Sequence, residues 1–339
     1  MGKKLDSVVV TFSANSEIRE RIEHPLDSWA HVLYLEDFHG SARRQVLQNA
    51  HVLLSFFFNK EIEREEYDFL KKVGLLQTIS TGVDYLPFLD IPSHIAIACN
   101  AGGWAYQIAE HVLAMTMALV RRLVPLHEKL ARGEFDKDTW LLRNLKGMTA
   151  GIVGYGGIGR NTANLFRALG MRIMAINTSG RTQDTVDYVG TLENLPYVLQ
   201  EADVVVLTLP LTKQTKGLIG GEQLLIMKRD AILINVARAP LIVEKDLYEH
   251  LQRFPDFQAG ADVWWNEPTW GRGEFQLNYP FFELSNFLGS PHNSNYVAGA
   301  MEDACQAAAE NVLLFLRGEP WHGKIRRGDY MDIDKKCKF

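Results

Sequence analysis

The chain has 339 residues, 47% of them hydrophobic and 23% charged, with a formal net charge of −5. That length suits two domains, and the composition is that of a globular protein. The acidic balance argues against a general nucleic-acid binder, which carries a basic excess.

The three cysteines, Cys99, Cys305 and Cys337, are widely spaced and form no C-x-x-C pair. They supply neither a disulfide framework nor a metal site and suit a reducing compartment. No apolar run reaches the length of a membrane span. The basic residues at the start precede only the short run 8–12, which reads as a first strand rather than a signal peptide. A cytoplasmic protein with no metal, membrane or nucleic-acid partner is expected.

In chain order, 7–13 is a valine-rich strand, 17–24 a charged helix stopped by Pro25, and 31–35 a second strand. Ser41 caps a helix running to Asn49, 51–58 is a strongly apolar third strand, and 61–73 is a helix closed by Gly74. Segments 75–80 and 95–99 are a fourth and a fifth strand. Strands alternating with helices at this spacing imply βαβ units and a parallel sheet. After Gly102-Gly103, 106–123 reads as the longest helical stretch, apolar nearly all round and therefore buried. Pro125 interrupts it, Gly133 closes the segment after that proline, and 135–145 is a polar connector. A second alternating series begins at Met148. Its strands fall at 172–176, 203–209, 231–236, 259–263 and 287–289, its helices at 192–201, 222–227 and 244–251, and a final long helix at 297–316. The two series predict two doubly wound α/β sheets, with ligand in a cleft between them.

The stretch from Gly151 to Gly159 ends a buried strand and opens a helix at Arg160. Gly154, Gly156 and Gly159 have the G-x-G-x-x-G spacing of a phosphate cradle, with Gly157 and Ile158 between them. Free N–H groups and the helix dipole attract the anion. A carboxylate about 20 residues further on would bind the ribose hydroxyls and favour NAD, but Asn177 stands there instead. A neutral amide does not repel a 2′-phosphate, Thr178 and Ser179 offer hydroxyls, and Arg181 offers a cationic fork that suits phosphate. NADP(H) is therefore expected over NAD(H), which stays possible.

Three later residues share a layout, each following the C-terminal end of a strand: Arg238, Glu267 and His292. An arginine can clamp the carboxylate and carbonyl oxygen of a 2-oxo acid. A histidine can move the hydroxyl proton, and a carboxylate can hold that histidine cationic and oriented. Spacing alone leaves open a turn histidine, a structural arginine and a solvated glutamate.

Several motifs in order resemble one family. They are Ser80-Thr81-Gly82-Val83-Asp84, Ala109-Glu110-His111, Gly151 to Gly159, Leu209-Pro210-Leu211-Thr212, Ile234-Asn235-Val236-Ala237-Arg238, Asp262-Val263 through Glu267-Pro268, and Ser290-Pro291-His292. Together they resemble the D-2-hydroxyacid dehydrogenases of glyoxylate/hydroxypyruvate reductase type. The resemblance implies a Rossmann dinucleotide-binding domain over 100–292 and a flavodoxin-like substrate domain from 1–99 plus 293–339. It implies Arg238, Glu267 and His292 as catalytic residues and the backbone N–H groups of Thr81, Gly82 and Val83 as the substrate-carboxylate site. It also implies cofactor contacts at Leu209, Pro210, Thr215, Val236, Ala237 and Asp262, the last near the nicotinamide, and a homodimer formed through 100–143. The activity implied is hydride transfer between nicotinamide and a small 2-oxo or D-2-hydroxy acid, with domain closure excluding water.

This chain departs from the family in places. Ala239-Pro240 replaces the usual Gly-Gly after the arginine, and Pro240 should push Ala239 toward extended geometry. Asn293-Ser294 follows His292 in place of an apolar-Gly pair. The segment 269–280, with Trp270 and Tyr279, is longer than usual and suits a cover over the cleft mouth or a subunit contact. Phe56, Phe57, Phe58 and Asn59 end the third strand, where they either pack in the core or line the pocket. Trp104 and Tyr106 are further lining candidates. Lys60 is the one nearby cation, which disfavours a phosphorylated substrate. Two rivals stay open: a dehydrogenase for formate or phosphite, the formate type usually having Gln at the position of Glu267, and a nucleotide-sensing corepressor of the same fold.

Overall fold

Short apolar runs such as Val8–Val10 and Val204–Leu207, too short for helices, mark several of the strands. The computed structural model describes residues 6–268 and 274–331. The chain divides into two units, one running to Trp104 and resuming at Val297, the other Ala105–Tyr296. The sequence reading puts these crossings at 99–100 and 292–293.

The first unit contains β1 (Asp6–Val10), α1 (Ser16–Leu26), β2 (Ala30–Tyr34), α2 (Gly40–Asn49), β3 (Val52–Ser55), α3 (Phe58–Glu61), β4 (Leu75–Thr78) and β5 (Ala96–Ala98). Its sheet has the order β2-β1-β3-β4-β5 with every pair parallel. This is the flavodoxin-like order. β3 and β4 are buried along their whole length, as strands covered on both faces must be.

Four local readings change. Pro25 lies inside the last turn of α1, which ends at the fully buried Leu26. Ser41 lies inside α2, whose N-cap is His39. The third strand stops at Ser55, and Phe58 turns into the core to open α3. The expected helix over 61–73 is a 3-10 turn at Arg64–Phe69. A capping box between Glu63 and Glu66 starts it, and the Leu70 N–H closes it on the Tyr67 carbonyl at 3.1 Å.

The second unit contains α4 (Ala105–Val120), α5 (Leu123–Ala131), β6 (Thr149–Val153), α6 (Gly157–Ala168), β7 (Arg172–Ile176), β8 (Tyr188–Gly190), α7 (Leu195–Glu201), β9 (Val204–Leu207), α8 (Gly221–Ile226), β10 (Ile232–Asn235), α9 (Glu244–Arg253), β11 (Gln258–Ala261) and β12 (Phe287–Gly289). The sheet order is β12-β11-β10-β9-β6-β7-β8, all parallel. Counted from β6, this is the Rossmann order with one further strand at the β12 edge. Its direction of winding reverses between β6 and β9. α4 packs on α6, β10 and β11. It lies so close to the sheet that a Cβ on Gly260 would sit 3.2 Å from Met115 Cε.

Sequence periodicity misses β8, a three-residue edge strand that exists because Met174, Ala175 and Ile176 pair with it. The break after α4 is at Arg122, in the left-handed region at φ 50°. Pro125 sits in the first turn of α5, where its missing N–H costs nothing. The longest helix described is α10 (Ala300–Leu316), with 17 residues against 16 in α4. α10 returns to the first unit and packs on α1, where Arg21 Nη1 donates to Gln306 Oε1 at 2.7 Å. Among the described residues no helix is long and apolar enough to cross a membrane.

Candidate active site

The glycine loop lies at the C-terminal end of β6, beside the point where the strand order reverses. The N–H groups of Gly154 and Tyr155 both donate to the Ile176 carbonyl, at 3.0 and 2.8 Å, and Thr208 Oγ1 donates to the Gly154 carbonyl at 2.6 Å. Gly154 has φ 107°, and a Cβ there would stand 2.6 Å from the Leu209 nitrogen. A Cβ on Gly159 would stand 2.3 Å from the Gly154 carbonyl oxygen, so this glycine lets α6 close on the strand. Gly156 differs, because nothing lies within 4 Å of its Cβ position. It is the N-cap of α6, and the first intrahelical bond runs from Arg160 N–H to its carbonyl. The N–H groups of Gly157, Ile158 and Gly159 precede that bond, in the first turn of α6. This arrangement fits a pyrophosphate.

After β7 the chain makes a tight loop that Asn177 organises. Asn177 Oδ1 accepts from the N–H groups of Ser179 and Gly180 at 3.0 and 2.7 Å, and its Nδ2 donates to the Arg181 carbonyl at 2.8 Å. The amide therefore shapes the loop as an Asx turn. Thr178, Ser179 and Arg181 are exposed, and the Arg181 guanidinium has no partner among the described residues. Thr215 is likewise turned inward. Its hydroxyl donates to the Pro210 carbonyl at 2.7 Å and accepts from the Thr212 N–H at 2.8 Å, closing the turn that begins at Leu209 and Pro210.

Arg238, Glu267 and His292 leave three adjacent parallel strands. Asn235 of β10 is in register with Ala261 of β11, and Ala261 with Gly289 of β12. In open α/β sheets this carboxyl edge is where ligands bind. His292 Nδ1 lies 2.8 Å from Glu267 Oε2, and the other Glu267 oxygen accepts from the Trp264 N–H at 2.8 Å. The Glu267 side chain is 13% exposed and the His292 side chain 36%. Arg238 is half-buried and follows a turn held by Asn235, whose Nδ2 donates to the Arg238 carbonyl and whose Oδ1 accepts from the Ala237 N–H, beside Val236. Ala239 is not extended: it opens a 3-10 turn, Ala239–Leu241, closed by the Ile242 N–H on its carbonyl, and the extended residue is Arg238.

His292 has φ 51°, a left-handed conformation that costs energy in a residue with a side chain. The fully buried Asp262 imposes it. Its Oδ1 accepts from Ser290 Oγ at 2.5 Å and from the Asn293 N–H at 3.2 Å, and its Oδ2 from the Ser294 N–H at 3.2 Å. The residues around His292 are thus drawn to one carboxylate, and the departures Asn293 and Ser294 contribute through their backbone. His111 of α4 extends the set, with Nε2 2.9 Å from Ser290 Oγ. Trp264 Nε1 donates to the Ser290 carbonyl at 2.8 Å, tying the glutamate loop to the histidine loop. Sequence reasoning gives none of these positioning roles to His111, Trp264, Asn235 or Ser290, although all four stand within the family motifs.

In the first unit, no described acceptor takes the backbone N–H of Thr81, Gly82 or Val83, while Thr81 Oγ1 anchors the segment on the Asn100 carbonyl at 3.0 Å. Consecutive open N–H groups make a concavity for an anion. Of the aromatic candidates, Phe58 and Trp104 are buried, Phe56 and Phe57 half-buried, and Tyr106 exposed. Residues 269–273, with Trp270, lie outside the described residues. The rest of that segment packs on its own unit, with Tyr279 stacked 5.1 Å from Tyr248 of α9. Burial pushes the Cys99 thiol up to about 11 and the Cys305 thiol up to about 12, which leaves neither as a nucleophile near neutral pH.

Residues 113–294 match the family described as D-isomer specific 2-hydroxyacid dehydrogenase, NAD binding domain. A glycerate dehydrogenase from Methylorubrum extorquens is 33% identical over 262 residues, covering 74% of this chain and 78% of that protein. A glyoxylate reductase from Thermococcus kodakarensis is 29% identical over 269 residues, covering 77% of this chain and 79% of its own. A solved D-isomer specific 2-hydroxyacid dehydrogenase family protein from Aeromonas salmonicida has a TM-score of 0.75 at 25% identity, over 96% of this chain and 100% of its own.

Proposed function

The chain belongs to the D-isomer-specific 2-hydroxyacid dehydrogenase family, and we propose that it reduces a small 2-oxo acid to the D-2-hydroxy acid with NADPH, His292 supplying the hydroxyl proton. The observation that carries this reading is the 2.8 Å pairing of His292 Nδ1 with Glu267, on strand ends in register with that of Arg238.

A nicotinamide bound here would supply the hydride. The protein's part comes from its own groups. The open N–H groups at the start of α6 hold the pyrophosphate. Within the first unit the N–H groups of Thr81, Gly82 and Val83 are donors suited to a carboxylate, and within the second the Arg238 guanidinium is suited to a carboxylate or carbonyl oxygen. Because Glu267 engages Nδ1, Nε2 is the nitrogen left to give its proton to the developing alkoxide. Glu267, itself fixed by the Trp264 N–H, orients the ring. A panel of 2-oxo acids followed at 340 nm tests this. Oxidation of NADPH by any of them is expected, and silence across the panel with tight nucleotide binding would favour a nucleotide sensor instead.

The preference for NADPH rests on the exposed Arg181, whose guanidinium meets no partner among the described residues, and on the uncharged Asn177. Arg181→Ala should weaken NADPH binding about tenfold, the lower end for a charge-assisted bond at an exposed site, and leave NADH binding alone. Fluorescence titration of both nucleotides reads this, and a higher kcat/KM with NADH in the parent protein would refute the preference. A homodimer through 100–143 is supported by exposed apolar side chains on α5 and after it, Leu123, Leu130, Phe135 and Leu141. Light scattering on the purified chain should give twice 38.4 kDa.

A further inference from the structure

One carboxylate in the first unit gathers an unusual number of donors. Glu61 Oε2 accepts from Thr11 Oγ1 at 2.5 Å, Ser55 Oγ at 2.6 Å and the Phe56 N–H at 3.2 Å, and its Oε1 accepts from the Phe57 N–H at 2.7 Å. An ionised carboxylate only accepts, with about four lone-pair sites, and here three donors converge on Oε2 and one on Oε1, all from residues at or just beyond the carboxyl ends of β1 and β3. The hydroxyls of Thr11 and Ser55 tie the group to the sheet, and the two N–H bonds fix the chain that leaves it.

That fastening decides where three successive phenylalanines go. Phe58 turns into the core and is 1% exposed, whereas Phe56 and Phe57 stay half-buried at the strand end. Their rings are 4.1 Å apart, and Phe57 meets the Tyr85 ring edge-on at 5.8 Å. The Tyr85 hydroxyl donates to the Phe56 carbonyl at 2.9 Å and lies 3.0 Å from Ser80 Oγ. The aromatic group is thereby joined to the segment whose open N–H groups begin at Thr81.

We infer that Glu61 is a positioning residue for substrate choice, holding Phe56 and Phe57 as an aromatic wall beside the carboxylate-binding amides. The substrates so selected are 2-oxo acids with an apolar side chain, branched or aromatic, in preference to glyoxylate or hydroxy-substituted acids. This rests on the 2-oxo acid reading of the same site. The physical ground is that the two rings reward apolar surface brought against them and themselves offer no hydrogen bond to a hydroxyl, the Lys60 ammonium lying 5.9 Å from the Phe57 ring centroid.

The test uses the full chain with NADPH. kcat/KM for 4-methyl-2-oxopentanoate and phenylpyruvate should exceed that for glyoxylate and hydroxypyruvate by about tenfold or more, the scale of side-chain discrimination in an apolar pocket. Glu61→Ala should lower the ratio of 4-methyl-2-oxopentanoate to glyoxylate about tenfold, through KM rather than kcat. Glu61→Gln should recover part of it, since its carbonyl oxygen still accepts from Phe57 while the two hydroxyls rotate to accept from its amide. Phe57→Ser should lower the same ratio without touching the fastening, and covers the case that Glu61→Ala fails to fold. The calorimetric Kd of D-2-hydroxy-4-methylpentanoate for the NADPH-loaded protein should weaken in step. Glyoxylate or hydroxypyruvate turned over as well as the apolar acids overturns the substrate class. An equal loss on both kinds of substrate in the Glu61 variants overturns the positioning role. Silence with all four acids removes the dehydrogenase reading itself, and this inference with it.

Discussion

Replacing His292 should lower kcat for 2-oxo acid reduction by about 10²- to 10⁴-fold, the usual contribution of a positioned acid, while nucleotide affinity stays close to that of the parent protein. The choice of replacement matters, because His292 has φ 51°. Alanine is less tolerant of that backbone than asparagine, so His292→Ala risks moving the loop as well as deleting the acid. His292→Asn keeps the loop and removes the proton donor, and both variants should lose activity to a similar extent. Glu267→Gln should cost less than either, since an amide oxygen can still accept from the His292 ring and keep it oriented. An intact kcat in His292→Asn, measured by stopped-flow absorbance at 340 nm, would remove this histidine from the chemistry. Loss of nucleotide binding in the same variant would instead place it in the cofactor site.

How much of this is legible in the sequence depends on whether the cause is local. The strand Arg172–Ile176 and the strand Phe287–Gly289 are read to the residue, and the glycine loop is placed correctly, because apolar runs and glycine spacing carry their own geometry. The third strand is read three residues too far at its C-terminal end. Nothing local to Phe56, Phe57 and Phe58 announces that the carboxylate of Glu61 pulls their backbone out of the sheet. The edge strand Tyr188–Gly190 exists only through its partner, and the break at Arg122 is a left-handed residue that no turn-forming side chain marks. The site shows the same division. The identities of Arg238, Glu267 and His292 come from motif and resemblance. That Asp262 secures the histidine loop, and that Asn177 and Thr215 are engaged in their own turns, emerges only from three-dimensional hydrogen bonding.

The glycine loop yields the other large effect, because two of its glycines are needed for different reasons. At Gly156 a methyl group meets no protein atom within 4 Å, and the backbone is extended at φ −93°, so Gly156→Ala should fold as the parent does. The methyl then occupies open space at the start of α6, and should hold a pyrophosphate off the first N–H groups of that helix. Intruding methyls in well-packed sites typically cost about 1–3 kcal/mol, so the NADPH Kd should rise about 10- to 100-fold with Tm unchanged. At Gly154 the same methyl stands 2.6 Å from the Leu209 nitrogen and 2.7 Å from the Thr208 carbonyl carbon, both backbone atoms, on a residue with φ 107°. Neither side can yield without moving β9 away from β6. Gly154→Ala should therefore destabilise by about 3 kcal/mol or more and lower Tm by about 6–12 °C, with affinity falling as a consequence of the altered loop. Calorimetric titration and thermal melts on the two variants separate these causes. A Gly156→Ala protein that binds NADPH as tightly as its parent would take the pyrophosphate away from this loop. A Gly154→Ala protein with an unchanged Tm would show that the β6–β9 junction yields where the fold leaves it no room.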